Sequence, residues 1–578
     1  MTPTHTFPGA WHAVIDFLRC AGVDTVFGLP SDDLSLLTAL NSTEPTRPRL
    51  VLCRDQRNAT FMATGYALQT NSPGVCVVGK GPAVTNTLTG LLEASCSAAP
   101  LLLLATGTAT RSRGSAAFQE LDQVSVLRPL LKWVDRVDHP SRLVPALEKA
   151  WRKAVTGTPG PVYLELPEEL FDADIERTRP WQLDTEEPEG YRIQRTSPAL
   201  TTIAAARKPI VLIGGGTRHC RDRRVFERFA ERIGAAVFST ASGRGVFDES
   251  HEQFVGLSGL YLRPQAKRLW DEADLIVAFG SRLEETATFG WDDNALVVQV
   301  NIAPEEFSAE FPGHRVAGDA AHIAHEWTDL LNGHVPDPDW LTKVGAVRRD
   351  LFTELRSVLD ENADGERIRV VDVLAAIEAV LPEDRILVQE NGLQDMWSYI
   401  FPFYHCGRSG GSIVPSEQTS LGFGAAASGG VALAAPGRQV VAFVGDGAFN
   451  LFRSDLSTFA REQLGVLFVV LCNGGYGWLQ SQLDQRGLDG ERFRFIDSSR
   501  ITAEAGDGFD VHQAVVSNNV ELEPELRKAF ENSSAGRVSV VYVPVDLSDS
   551  PAGISEIDGD FPVISEDSES AFVQRTED

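Results

Sequence analysis

A short apolar run closed by a glycine turn recurs along this whole chain, and it limits the possible fold more than any other feature. GVDTVFGLP, PGVCVVGKGP, APLLLLATG, GPVYLELP, PIVLIGGG, ADLIVAFG, RILVQENG and QVVAFVGDG are examples. Runs this short and this apolar suit strands covered on both faces, as in parallel sheets. Helix-like stretches lie between them, so the expected class is α/β with doubly wound parallel sheets.

The runs fall into three blocks, which predict domains over residues 1–176, 192–335 and 366–550, with an acidic tail over 551–578 read as disordered. The Pro- and charge-rich stretch RTRPWQLDTEEPEGY (177–191) reads as a linker, and a charged helix is expected near 339–362. PGVCVVGKGPAVTNTLTGL and RQVVAFVGDGAFNLFRSDL echo one another as strand, Gly-X-Gly turn, Asn and helix, which ordinary α/β turn chemistry would also give.

With 52 Lys plus Arg against 80 Asp plus Glu, the net charge is −28, which disfavours nucleic acid and anionic membranes as partners. The 7 cysteines are scattered, form no CxxC pair and mostly sit in apolar runs. Together with the lack of a signal peptide, they predict a reduced, cytoplasmic protein with no membrane span.

The segment VVAFVGDGAFNLF places Asp446 between Gly445 and Gly447 at the end of an apolar strand. A helix-like stretch follows, then the strand VLFVVLC, then Asn473, Gly474, Gly475 and Tyr476. Consecutive parallel strands joined by a right-handed helix finish at the same sheet edge, so Asp446 and Asn473 should meet. A carboxylate, an amide oxygen and a backbone carbonyl are hard ligands suited to Mg²⁺ or Ca²⁺, completed by water or phosphate oxygens. A lone GDG is more often an Asx-turn or a helix cap, and the Asn-Gly-Gly one strand later is what makes the pair selective.

At these residues the chain resembles the thiamine diphosphate enzymes, whose signature is GDG followed further on by an Asn-Asn pair. Cys472 stands in place of the first Asn, while the metal-binding position corresponds to the second. GVDTVFGLP, FMATGYA, GPAVTNTLTGL, GSAAFQELD, GTPGPVYLELPEEL and SLGFGAAASGGVALA extend the likeness to the acetolactate synthase and 2-oxo acid decarboxylase superfamily. The resemblance implies pyrimidine-binding, central Rossmann-like and diphosphate-binding domains. It also implies Mg²⁺ held by Asp446, Asn473 and the Gly475 carbonyl against thiamine diphosphate. Leu421 falls under the bent cofactor, and Gly445, Gly447, Ala448 and Tyr476 complete that side. A dimer or tetramer with active sites shared between subunits follows.

Family members normally carry a Glu shortly before the FMATGYA helix, where it hydrogen-bonds the pyrimidine and assists loss of the thiazolium proton. Here Gln56 occupies that place, beside Asp55. An amide cannot exchange a proton, and the loss of general-acid assistance is typically worth a factor of roughly 10² to 10⁴. Three readings stay open: Gln56 holds the pyrimidine while another group relays protons, Asp55 swings in, or the protein binds cofactor and turns over poorly. Glyoxylate carboligase resembles the first case.

On the substrate side, Lys80 ends a strand where synthases have small residues, and its ammonium would meet a substrate carboxylate. A lysine reaching solvent is the plain alternative. Phe118 and Gln119, with Lys132, resemble the acceptor-side positions of acetolactate synthases. The decarboxylases' tandem His pair is absent, which favours carboligation of a 2-oxo acid such as pyruvate over simple decarboxylation to an aldehyde. Gly214, Gly215, Gly216, Gly280 and Arg282 resemble the module that binds FAD in synthases and ADP or nothing in relatives, so FAD is left open.

Overall fold

The computed structural model describes residues 5–30, 34–40, 48–183, 197–361, 367–407, 411–494 and 510–551. The expected tail, and the linker from residue 184 onward, lie outside them. The start of that linker is not free, because Trp181 Nε1 donates to Asp16 Oδ2 at 2.8 Å and its ring meets Phe17 edge-on.

Three six-stranded sheets carry the chain, and every pairing within them is parallel. The fold is therefore α/β with three doubly wound domains. In the first sheet the order is Arg49–Leu52, Thr25–Leu29, Gly74–Val78, Leu101–Gly107, Pro161–Pro167, Trp133–Arg136. In the third it is Ser412–Ile413, Ile386–Gln389, Val440–Gly445, Val466–Cys472, Val538–Pro544, Val511–Val515. Both orders read second, first, third, fourth, sixth, fifth along the chain, so the sequence echo between these blocks reflects one shared topology. The central sheet runs third, second, first, fourth, fifth, sixth, with its reversal between Pro209–Ile213 and Leu275–Phe279. Ligands of open α/β sheets bind beyond the carboxyl ends of the strands flanking such a reversal. In the third sheet those strands are Ile386–Gln389 and Val440–Gly445.

The first and third domains dock helix on helix. Gln56–Thr70 packs on Phe423–Ala434, with Phe61 and Phe423 edge-to-face at 5.7 Å. The helices approach so closely that a Cβ on Gly65 would lie 2.3 Å from the Ala427 carbonyl oxygen, and one on Gly430 1.8 Å from that of Met62. This is why FMATGYA has glycine at Gly65 and GAAASGG is built of small residues with glycine at Gly430. Asp455 ties the same joint by accepting from Arg54 N at 2.7 Å and Asn58 Nδ2 at 2.8 Å. Arg244, buried with Glu249 at 2.7 Å, joins the central domain to the third by donating to Ser398 O at 2.6 Å.

The charged helix appears as Pro338–Asp360. No helix of the described residues is long and apolar enough to cross a membrane. All 7 cysteines are free, and only Cys20 is exposed.

Candidate active site

The strands Val440–Gly445 and Val466–Cys472 pair in register, with Gly445 opposite Leu471, so the residues that follow them leave the sheet side by side. Asp446 opens a short helix, and its Oδ2 accepts from Gly474 N at 2.8 Å. Asn473 Oδ1 accepts from Gly475 N at 2.9 Å, while its Nδ2 donates to Gln394 Oε1 at 2.8 Å. That second bond fixes the Asn473 amide with its oxygen toward the glycine turn. Gly475 bridges to Arg494, and a Cβ there would meet the Phe493 carbonyl oxygen at 2.3 Å, so only glycine fits.

These groups line one cavity of about 180 Å³, which also receives Leu421, Tyr476, Gly445, Gly447 and Ala448. Every residue expected on the diphosphate side is thus brought together. Leu421 is 45% exposed, so it is not packed into the hydrophobic core. The helix Gly477–Gln485, reached directly from Tyr476, forms one wall through Trp478 and Leu479.

Sequence reasoning missed the opposite wall. The strand Ile386–Gln389 runs into Glu390, Asn391, Gly392, Gln394 and Asp395, all of which line the cavity. The signal was present in RILVQENG, an apolar strand ending in polar residues and a glycine, like the GDG run. Burial pushes the Asp446 carboxyl up to about 6 and the Asp395 carboxyl, which also faces Asp446, up to about 7. Glu390 is raised by burial too. The donor set is hard oxygen in a site short of positive charge, and it fits a divalent cation carrying a diphosphate.

The residues expected on the pyrimidine and substrate side do not line this cavity. Gln56 begins the helix Gln56–Thr70, and its Oε1 accepts from Asn86 Nδ2 at 2.7 Å. Asp55 is that helix's N-cap, its Oδ1 accepting from Arg57 N at 2.8 Å and Asn58 N at 3.4 Å. Lys80 is buried and pairs with Glu168, so it is not a lysine reaching solvent. Gln119 takes a positive φ of 56° and packs its carbonyl against Gly81, while Phe118 is 71% exposed. Lys132 does not join them, because its ammonium binds the carbonyls of Thr156 and Thr158.

A second cavity, about 250 Å³, opens at the strand reversal of the central sheet, with Gly215, Gly216, Gly280 and Arg282 on its lining. Its glycines have a packing reason as well. Gly216 N is spent on Gly280 O at 2.8 Å, Gly214 N on Phe279 O at 2.8 Å, and a Cβ on Gly214 would sit 2.4 Å from Gly280 O.

Comparison with known proteins agrees with this geometry. The model of the thiamine pyrophosphate enzyme N-terminal TPP binding domain matches residues 10–126, that of the central domain 196–326, and that of the C-terminal TPP binding domain 391–543. The acetolactate synthase isozyme 3 large subunit of Escherichia coli is 28% identical over 565 residues, covering 93% of this chain and 94% of that one. The acetolactate synthase large subunit of Lactococcus lactis is 26% identical over 488 residues, or 82% and 83% of the two chains. The acetolactate synthase of Mycobacterium bovis is 29% identical over 489 residues, covering 81% of this chain and 76% of its own length. With all three domain models matched in order along the chain, this protein belongs to the thiamine pyrophosphate-dependent enzymes and is of the acetolactate synthase type.

Proposed function

We propose that the chain is a thiamine diphosphate- and Mg²⁺-dependent carboligase. It decarboxylates a 2-oxo acid, with pyruvate as the first candidate, and transfers the two-carbon acyl unit to an acceptor carbonyl. One observation carries this reading: Asp446, Asn473 and Gly475, delivered by consecutive parallel strands, share a cavity with Leu421. The names of the relatives support the reaction class.

Asp446, Asn473 Oδ1 and the Gly475 carbonyl would hold Mg²⁺ against the diphosphate. When bound, the cofactor supplies the acidic thiazolium carbon that adds to the keto group and the electron sink for CO₂ loss. Leu421 would stand beneath the cofactor, and Gln56 would hold the pyrimidine through its amide. Lys80 meets a substrate carboxylate by sharing or leaving Glu168, and Phe118 and Gln119 shape the acceptor side.

Since the pyrimidine-side residues stand outside the cavity of their own chain, the reading implies a dimer or tetramer in which each subunit completes the other's site. Phe118, exposed here, would be covered there. FAD, if carried, would sit in the central cavity, and a flavin band in the visible spectrum of the purified protein decides it. A cytoplasmic location goes with this reading.

A second reading, a cofactor-binding protein with poor turnover, rests on Gln56. Incubation with thiamine diphosphate, Mg²⁺ and a panel of 2-oxo acids separates the readings. The expected result is CO₂ with acetolactate or another acyloin. CO₂ with free aldehyde indicates a decarboxylase, and cofactor uptake without either product indicates the second reading. Cofactor uptake that is independent of Mg²⁺, or undiminished in Asp446→Ala, overturns the site assignment.

A further inference from the structure

Glu93 lies on the helix Leu88–Cys96 of the first domain and is fully buried. Its Oε1 accepts from Ser416 N and, at 3.2 Å, from Ser97 Oγ, while its Oε2 accepts from Ser420 N at 3.3 Å. Ser416 and Ser420 belong to the third domain, and the residue after Ser420 is Leu421. A side chain of one domain therefore grips both ends of the turn that leads into the cofactor cavity of another.

That turn does not hold its shape for free. Thr419 N donates to Ser416 O at 2.9 Å and Gln418 N to Ser416 Oγ at 3.2 Å, and the bend puts Thr419 at a φ of 44°. A β-branched residue in the left-handed region is strained, and such strain persists only where the surroundings over-determine it. Glu417, in the same turn, takes a bond from Thr286 of the central domain, but through its side chain, which leaves the backbone free. The two backbone N–H groups are held by Glu93.

Leu421 is 45% exposed, so packing does not fix it, and its place on the cavity wall is set by the backbone on either side. Beyond it, Gly422 at a φ of 91° opens the helix Phe423–Ala434, which is anchored in the core. Before it stands the turn held by Glu93. We propose that Glu93 is a positioning residue for Leu421, placing it against the organic half of the cofactor without itself entering the cavity. The proposal rests on the reading that Leu421 stands beneath thiamine diphosphate.

Asp446, Asn473 and Gly475 are not part of this turn, so Glu93 should matter for the thiamine moiety and not for the diphosphate. Calorimetric titration of the full-length protein with thiamine diphosphate and with inorganic diphosphate, both at saturating Mg²⁺, reads the two separately. Glu93→Gln keeps the shape but has one acceptor oxygen, so its NH₂ must face a backbone N–H. It is expected to bind thiamine diphosphate roughly 10-fold more weakly, the effect of one buried donor left unsatisfied, and inorganic diphosphate as the wild type does. Leu421→Ala is expected to lose roughly 10-fold or more in the same selective way. The double variant should be no weaker than Leu421→Ala alone, because the first change acts through the second residue. Ser97→Ala, which removes only the hydroxyl that steadies Glu93, should show the same selectivity with a loss of about 3-fold, and it serves if Glu93→Gln does not fold.

Losses that add in the double variant, or an equal loss for both ligands in Glu93→Gln, overturn the proposal, since either makes Glu93 plain cement between domains. Where Leu421→Ala is weakened and Glu93→Gln is not, the positioning role alone fails. If Leu421→Ala binds thiamine diphosphate like the wild type, the reading of Leu421 fails and takes the proposal with it.

Discussion

Asn86 donates its side-chain amide to Oε1 of Gln56 at 2.7 Å, so the Gln56 oxygen is engaged and its NH₂ remains as the outward donor. A donor there suits a pyrimidine nitrogen that carries no proton, and it leaves that nitrogen without an acid to exchange with. Gln56→Glu is expected to speed hydrogen–deuterium exchange at the thiazolium carbon by a factor of roughly 10² to 10⁴, read by NMR after acid quench. An unchanged rate would mean that Gln56 does not reach the pyrimidine.

Asp55 is already committed as the cap of the same helix through Arg57 N and Asn58 N. Asp55→Asn keeps a good cap, so both thermal stability and the thiazolium exchange rate should stay near wild type. Asp55→Ala removes the cap and should cost about 0.5–2 kcal/mol of stability. A large fall in exchange rate in the Asn variant would identify Asp55 as the proton carrier instead.

The docking of the first and third domains depends on the two helices approaching at Gly430 and Gly65. Gly430→Ala forces a methyl group into the Met62 carbonyl, which is backbone and cannot rotate away. The cost should be about 1–3 kcal/mol or more, as for other overpacked contacts. It should appear as a lower melting temperature and faster proteolysis between the domains, with the first sheet itself retained by circular dichroism.

How much of this was legible in sequence depends on how local each cause is. Asp446 and Asn473 were predictable as neighbours because strand ends in a right-handed parallel crossover converge whatever the side chains do. For Glu390 and Asp395 the sequence marks only a strand ending in polar residues, RILVQENG, and not their burial, because a carboxylate becomes buried only through contacts set by distant segments. The Gln56 and Asn86 pair was hidden for the same reason: a helix start and a separate turn must be oriented before two amides can meet. Lys132 stands apart from Phe118 and Gln119 within the chain because its long side chain follows its nearest carbonyls, those of Thr156 and Thr158. The glycines of PIVLIGGG read as a nucleotide turn, yet close approach to Gly280 alone requires Gly214.

His219 lines the central cavity, and burial together with Arg218 and Arg223 holds its imidazole down to about 4. The unfolded chain takes up this proton as pH falls below the ordinary value of 6.5, while the native state refuses it until about 4. Native stability is therefore intact above pH 6.5 and lost progressively as pH falls toward 4. The loss is on the order of 2 kcal/mol at pH 5. Melting temperatures of the wild type and His219→Gln, compared at pH 7.5 and pH 5, should show the wild type losing ground to the variant on acidification. An unchanged difference would mean that the imidazole is protonated in the fold.

Lys80 is buried, and its ammonium is paired with Glu168, whose own side chain is 44% exposed. On the reading that Lys80 meets a substrate carboxylate, that carboxylate would compete with a partner that can swing into water, and the pair would gate binding rather than act as a fixed charge. Once a 2-oxo acid substrate is in hand, Glu168→Gln should lower its KM by freeing the ammonium. Lys80→Met should raise KM by roughly 10-fold or more, the range of a charge-assisted hydrogen bond. The kcat should move less than KM if the contact is the same in ground and transition states. Opposite signs in the two variants are the diagnostic, because a purely structural ion pair would make both variants less stable and leave KM alone.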